Sequence, residues 1–455
     1  MLITAPRVIP ATGGAGIPAS GGASAAGGAG SPAPGTASAT SGAGILAPGY
    51  VSVEAGLITE VGAGRPPRAP DLVLDTGILI PGMIDLQLNG SYGVDLAAVD
   101  AEGWALLARR LPETGTTGFL ATFISAPVAE LAGALGSARE LVASGLLSGA
   151  GGPGGGPAAG DHRVPGARVP GVPGAHVPGV SGARVLGVHM EGPFLAPARA
   201  GAHRREWLIP PTAEAVGELL AAGAGVLRLV TMAPELAGGL AAVTQLAAAG
   251  LVVSIGHSDA TAEQVAAAAE AGARMVTHLF NAQRPFHHRE PGVAGRALTD
   301  HRLTCGLIAD SSHVSPAAIG LAFAAAPGRI CLVTDAVAAA GMPPGRYLLG
   351  GQTIEVAAAE LAAAEADVVL AAPRLADGTL AGSVLRMDQA VANTVAAGVS
   401  LPAAVAAATR VPADLIGRPD VGRLAPSAAA DLTWLDDDLR ARATWVAGEL
   451  VYSRA

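Results

Sequence analysis

The sequence predicts an α/β fold: a (β/α)8 TIM barrel, with a small β-sandwich built from the two ends of the chain. Three observations predict it. Eight short, β-rich apolar runs are separated, for the most part, by helix-like segments. Four of these runs end on a residue that can do chemistry: Glu191 in VLGVHMEGPF, His257 in LVVSIGHSDA, His278 in MVTHLFNA and Asp335 in CLVTDA. The outermost segments read as strands with no helices between them.

Residues 1–78 supply the first part of the small β domain. Within them, 11–44 are almost entirely Gly, Ala, Ser, Pro and Thr. Such a composition buries too little apolar area to offset the cost of ordering, so disorder is expected. GYVSVEAGLITEVGAG (49–64) alternates as strand, turn and strand, with Glu54 to Gly56 at the turn.

The barrel is expected over 79–420. Its strands are GMIDLQLN (82–89), TGFLATF (117–123), VLGVHME (185–191), VLRLVTM (226–232), LVVSIGH (251–257), MVTHLF (275–280), RLTCGLIAD (302–310) and ICLVTDA (330–336). Each suits a buried parallel strand. PELAGGLAAVTQLAAAG (234–250) and TAEQVAAAAEAGA (261–273) read as helices. The second opens on Thr261 as N-cap and ends near Gly272. A Gly/Pro-rich insertion runs from 148 to 183 and contains VPGARVPGVPGAHVPGV (164–180), which favours turns and loose coil. His162 and His176 fall in it and read as incidental. Both low-complexity stretches look like loop insertions, where lengthening costs little. Residues 421–455 return to strands, in GRLAPSAAADLTWLD (422–436) and ATWVAGELVY (443–452), and complete the small domain.

Composition narrows the function. Half of the 455 residues are apolar and only 3% aromatic, so the core rests on Ala, Val, Leu and Ile. All 28 basic residues are Arg, which together with the Ala, Gly and Pro excess reads as a coding bias. A net charge of −9 without a basic cluster argues against nucleic acid and anionic membranes. Cys305 and Cys331 lie inside apolar runs and read as small core residues in a reducing compartment. No charged segment leads into an apolar stretch at the start, and no long apolar span follows. A cytoplasmic protein is the expectation.

Polar residues at the C-terminal mouths of barrel strands read as catalytic, because loops there converge on one site. Two imidazoles and a carboxylate make a three-ligand metal site with a position open for water. The remaining Asp335 then suits a base. Taken singly, each residue has a plainer reading: Glu191 a surface cap, either His a satisfied core residue, Asp335 a helix N-cap. His257 and His278 on neighbouring strands, with Glu191 near, favour the metal. Gly192-Pro193 makes a tight turn that aims Glu191 inward.

The motifs PGMIDLQLNG (81–90), GVHMEGPFL (187–195), GAH (201–203), GHSDAT (256–261), THLFNA (277–282), REPGVAG (289–295), IADSSHV (308–314), LVTDA (332–336) and LAGS (380–383) follow one order. In that order the chain resembles the N-acetylglucosamine-6-phosphate deacetylases of the amidohydrolase superfamily. The resemblance spans the barrel, is looser over the terminal β segments and does not touch the low-complexity stretches.

The resemblance implies Glu191, His257 and His278 as ligands of one divalent metal ion per subunit, zinc first and ferrous iron as an alternative. Gln87 and Asn89 stand where many amidohydrolases have His-x-His. Amides ligate such metals poorly, so a single metal is expected, with Gln87 beside its water. Asp335 becomes the general base and His313 the group that polarises the acetyl oxygen. Ala202, His203, Asn281, Ala282, Leu380, Ala381 and Gly382 match substrate-contacting positions. Arg289 matches a phosphate-binding arginine that reaches in from the neighbouring subunit of a homodimer. Gln283 stands where Met is common, and Ser311 or Ser312 where Gly is. The implied activity is deacetylation of N-acetyl-D-glucosamine 6-phosphate, in amino-sugar catabolism and cell-wall recycling. Three alternatives stand beside it: the galactosamine epimer as substrate, another amide without phosphate, and a barrel without catalysis. The last would carry a broken ligand set, and this one is whole.

Overall fold

The computed structural model describes residues 1–11, 44–143, 167–168, 182–357 and 372–454. Most of both low-complexity stretches, with His162 and His176, lies outside the described residues.

Eight parallel strands form one sheet, numbered β1 to β8 in chain order: Met83–Leu88, Thr116–Ile124, Arg184–Glu191, Leu227–Met232, Val252–Ile255, Met275–Val276, Thr304–Leu307 and Ile330–Leu332. All eight expected strands are present and neighbours in sequence are neighbours in space. The sheet closes on itself where β1 meets β8. Asp335 N–H donates to Gln87 O (2.8 Å), and Asn89 N–H donates to Ala336 O (2.9 Å). This is the barrel that the rhythm of apolar runs predicts. Helices cover its outside, and the core is built mainly from aliphatic side chains. Cys305 and Cys331 are both part of it. Burial pushes the Cys305 thiol up to about 12 and that of Cys331 higher still, so neither forms a thiolate readily.

Several elements are shorter than the apolar pattern suggests. β5 and β6 end before His257 and His278, whose φ values of 47° and 28° leave the extended region. The 234–250 segment becomes helical only at Gly239–Ala248, because Gly238 ahead of it takes φ 82° in a turn. The 261–273 helix runs Ala262–Ala271 and is held by a full capping box. Thr261 Oγ1 accepts from Gln264 N–H, and the Gln264 side chain accepts from Thr261 N–H.

The terminal segments form two antiparallel-rich sheets. One contains Leu2–Ala5, Gly49–Glu54, Leu57–Ala63, Leu72–Leu74 and the pair Ala167–Arg168. The other contains Ile78–Pro81, Leu432–Leu435, Ala441–Val446 and Glu449–Ser453. Their facing sides share one core, with Ile3, Val51, Ile58 and Leu72 against Trp434 and Trp445. Pairing runs through Pro81, and of 422–436 only Leu432–Leu435 is strand.

A hairpin that the sequence reading passed over, Gly345–Leu349 with Gln352–Val356, turns at Gly350-Gly351. Both glycines take positive φ (52° and 73°), as a two-residue hairpin turn requires. Leu349 and Ile354 pack on Ile124 and Val337 beside the barrel mouth. Among the described residues no helix is long and apolar enough to cross a membrane.

Candidate active site

At the C-terminal mouth of the barrel lies a cavity of about 340 Å3. Glu191 ends β3, His257 follows β5, His278 follows β6 and Asp335 follows β8. All four line the cavity and are buried. The Nε2 atoms of His257 and His278 are 3.0 Å apart. Glu191 Oε1 stands 3.2 Å from the first and 3.1 Å from the second.

The outer nitrogens decide what this cluster can hold. His257 Nδ1 donates to Arg199 O (2.8 Å) and His278 Nδ1 donates to Asn281 O (3.1 Å). In its neutral form each imidazole therefore turns the lone pair of Nε2 inward. Three lone-pair donors at such range repel unless a cation lies among them. The donor chemistry thus fits one divalent ion on Glu191, His257 and His278. Burial favours the neutral acid at Glu191. Where the two imidazoles beside it are protonated, they outweigh burial and hold its carboxyl well below the usual range.

Asp335 is adjacent but separate. Asn89 Nδ2 and Gln87 Nε2 donate to its Oδ1 at 2.7 and 3.2 Å. Gln87 Nε2 also reaches Glu191 Oε1 (3.2 Å). The amide oxygens of Gln87 and Asn89 are buried with no bonding partner among the described residues. Buried polar atoms of this kind mark where water or ligand belongs. Burial, and then the charge of Glu191, push the Asp335 carboxyl up to about 7.

Two further histidines have their ring orientation fixed. His313 Nδ1 donates to Asp310 Oδ2 (2.7 Å), leaving Nε2 for the cavity. His203 is the reverse: its Nδ1 accepts from Ser125 N–H (3.3 Å), so Nε2 carries the proton. Burial and the nearby His257 lower His203 to about 3, which keeps it neutral.

Ala202, Asn281, Ala282, Leu380 and Gly382 line the same cavity. Ala381 is fully buried behind it, against Ile124 and Val337. Gln87 lies beneath. Arg289 does not line the cavity; it is exposed on the loop after Gln283. Gln283 is buried and donates to Thr277 O (2.9 Å), so it braces the loop after β6.

Sequence reasoning missed part of the wall. Ile124, Ile308 and Leu349 give it an apolar side, and Arg199 stands at its rim in a bond to Asp259. The Gly-Gly dipeptide between alternating runs was a usable signal for the hairpin that brings Leu349. Nothing local in the sequence marks Ser125 or Asp310 as partners of His203 and His313.

The model of the amidohydrolase family matches residues 180–451. A Bos taurus N-acetylglucosamine-6-phosphate deacetylase is 38% identical over 85% of this chain and 86% of its own length. An Escherichia coli O157:H7 N-acetylgalactosamine-6-phosphate deacetylase is 34% identical over 83% of this chain and 88% of its own. Among solved structures, a Mycobacterium smegmatis N-acetyl-D-glucosamine-6-phosphate deacetylase variant, in complex with N-acetyl-D-glucosamine-6-phosphate, superposes with a TM-score of 0.80. That match has 32% identity and covers 100% of this chain and 99% of the other. A barrel with a His2Glu cluster at its mouth, matched over nearly its whole length by such relatives, leaves one assignment: the chain belongs to the amidohydrolase family and, within it, to the N-acetylglucosamine-6-phosphate deacetylases.

Proposed function

We propose that the chain is a metal-dependent hydrolase that removes acetate from N-acetyl-D-glucosamine 6-phosphate and releases D-glucosamine 6-phosphate. The observation that carries this reading is the meeting, in one cavity, of a His2Glu donor set and a separate buried carboxylate. The relatives named for this reaction support the choice of substrate.

Glu191, His257 and His278 would hold one divalent ion, zinc in the first place; ferrous iron also suits the donors. When bound, it supplies a Lewis acid that lets water act as a nucleophile near neutral pH. Asp335 takes the proton of the attacking water and returns it to the amine as the C–N bond breaks. A carboxyl held up near 7 is suited to carrying that proton between the two steps. His313, its ring held by the Asp310 carboxylate on Nδ1, offers Nε2 to the acetyl oxygen. The Nε2–H of His203, the Asn281 amide and the backbone at Ala202, Ala282, Leu380, Ala381 and Gly382 are suited to the sugar. The bare oxygens of Gln87 and Asn89 are suited to water.

Arg289 is the phosphate clamp in this reading, since a guanidinium fork fits a phosphate dianion. Its exposure outside its own chain's cavity supports a homodimer in which it serves the neighbouring subunit. Residues 79–420 act as the catalytic barrel, and 1–78 with 421–455 as a small β domain. The enzyme works in the cytoplasm on a small phosphosugar, in amino-sugar catabolism and cell-wall recycling.

Asp335→Asn tests the base. It should keep its metal and lose turnover by about 10²- to 10⁴-fold. Near-normal turnover would remove Asp335 from this role. A second reading keeps the chemistry and takes N-acetylgalactosamine 6-phosphate, on the likeness to the E. coli relative. One hydroxyl contact separates the two, and kcat/KM on both sugars decides between them.

A further inference from the structure

Asp85 is a buried carboxylate that the reaction does not use. It sits in β1, only 1% exposed, and burial pushes its carboxyl up to about 6. Its partners lie on both sides of the barrel's closing seam. On β1 its Oδ1 accepts from Gln87 N–H (3.2 Å). Across the seam the same oxygen accepts from Thr334 N–H (3.2 Å), and Oδ2 accepts from Thr334 Oγ1–H (2.5 Å). At this level a side chain does the work that a backbone ladder does elsewhere around the barrel, and the pairing of β1 with β2 shifts between Asp85 and Leu88.

Thr334 immediately precedes Asp335. Its carbonyl accepts from Ser383 Oγ–H (2.5 Å), and Ser383 N–H donates to Asp335 O (2.8 Å). Asp335 itself takes φ 52°, a conformation a non-glycine residue keeps only when its surroundings over-determine it. Asp85, Thr334 and Ser383, all buried, are those surroundings.

We propose that Asp85 is a positioning residue: through Thr334 it fixes the left-handed turn that aims the Asp335 carboxylate at its proton. A buried carboxylate is costly to keep, and apolar packing could close a seam without it. This inference rests on Asp335 being the base.

The test is a small variant set, each assayed for kcat, KM, metal content and Tm. Asp85→Asn and Thr334→Val should lower kcat by about 10- to 100-fold per metal-loaded subunit, with KM within about twofold of the parent. Thr334→Ser, which restores the hydroxyl, should recover most of that loss. The double variant should be no worse than either single, because the pair acts as a unit. On an Asp335→Asn background, Asp85→Asn should cost nothing further. A parental kcat in folded, metal-loaded Asp85→Asn would overturn the proposal, as would a loss confined to Tm. If Asp335→Asn alone kept its turnover, the base assignment would fall first, a result distinct from the others.

Discussion

Three of the four residues that meet at the barrel mouth sit in a backbone conformation that most side chains avoid. His257, His278 and Asp335 have φ of 47°, 28° and 52°. Each lies just past a strand, where the chain turns and the side chain swings over the barrel mouth. Identity and approximate place of these residues were legible in the sequence, since polar residues interrupt apolar runs there. Their ring and carboxyl orientations were not, because these depend on partners that no local pattern marks, such as Arg199 O and Asn281 O. His313 shows the same limit: Asp310, three residues away, sets which ring nitrogen is left for the cavity. We expect His313→Asn to lower kcat by about 10²- to 10³-fold with a small change in KM, as for loss of an oxyanion donor. Asp310→Asn should reproduce part of that loss, and steady-state kinetics on both variants would check it. An unchanged kcat in His313→Asn would remove it from the chemistry.

Among the elements, capping signals translated well into structure and long apolar runs less so. Thr261 and Gly272 bounded their helix as expected, because a cap is a local hydrogen-bonding device. The run 275–280 gave only two strand residues, since apolar pattern alone does not see where a ladder ends. Another local device lies at the end of the helix Gly292–Thr299. There Asp300 accepts from Arg302 Nη2 (2.6 Å) and Arg296 Nη2 (3.1 Å). The Arg302 bond, opposed only in part by burial, holds the Asp300 carboxyl well below its unfolded value of about 3.9. A depressed carboxyl stabilises the fold above that unfolded value and loses its contribution as pH falls through the folded one. Asp300→Asn should therefore destabilise the protein more at pH 7 than at pH 3 in denaturant titrations. An equal penalty at both values would assign the effect to something other than the ion pairs.

On the scale of the whole molecule, the barrel was readable from its strand count and order, and the sandwich only from segment type. Ile78–Pro81 pairs with Leu432–Leu435 across more than 350 positions of chain, a contact no local pattern encodes. The exposure of Arg289 raises the same question between subunits. If it serves the partner's site, mixed dimers of Asp335→Asn and Arg289→Ala should regain activity that neither parent has. The site on the Arg289→Ala subunit keeps its Asp335 and receives an arginine from the other. Mixing without gain would place Arg289 in its own subunit's site or in none. The most direct measurement of the central claim is acetate release by the purified protein, with its metal removed and then restored. The substrates are N-acetylglucosamine 6-phosphate, its galactosamine epimer and unphosphorylated N-acetylglucosamine. The account predicts release from the first, lost on metal removal and regained on its return, with little from the unphosphorylated sugar. No release from either phosphosugar while one metal per chain stays bound would contradict it.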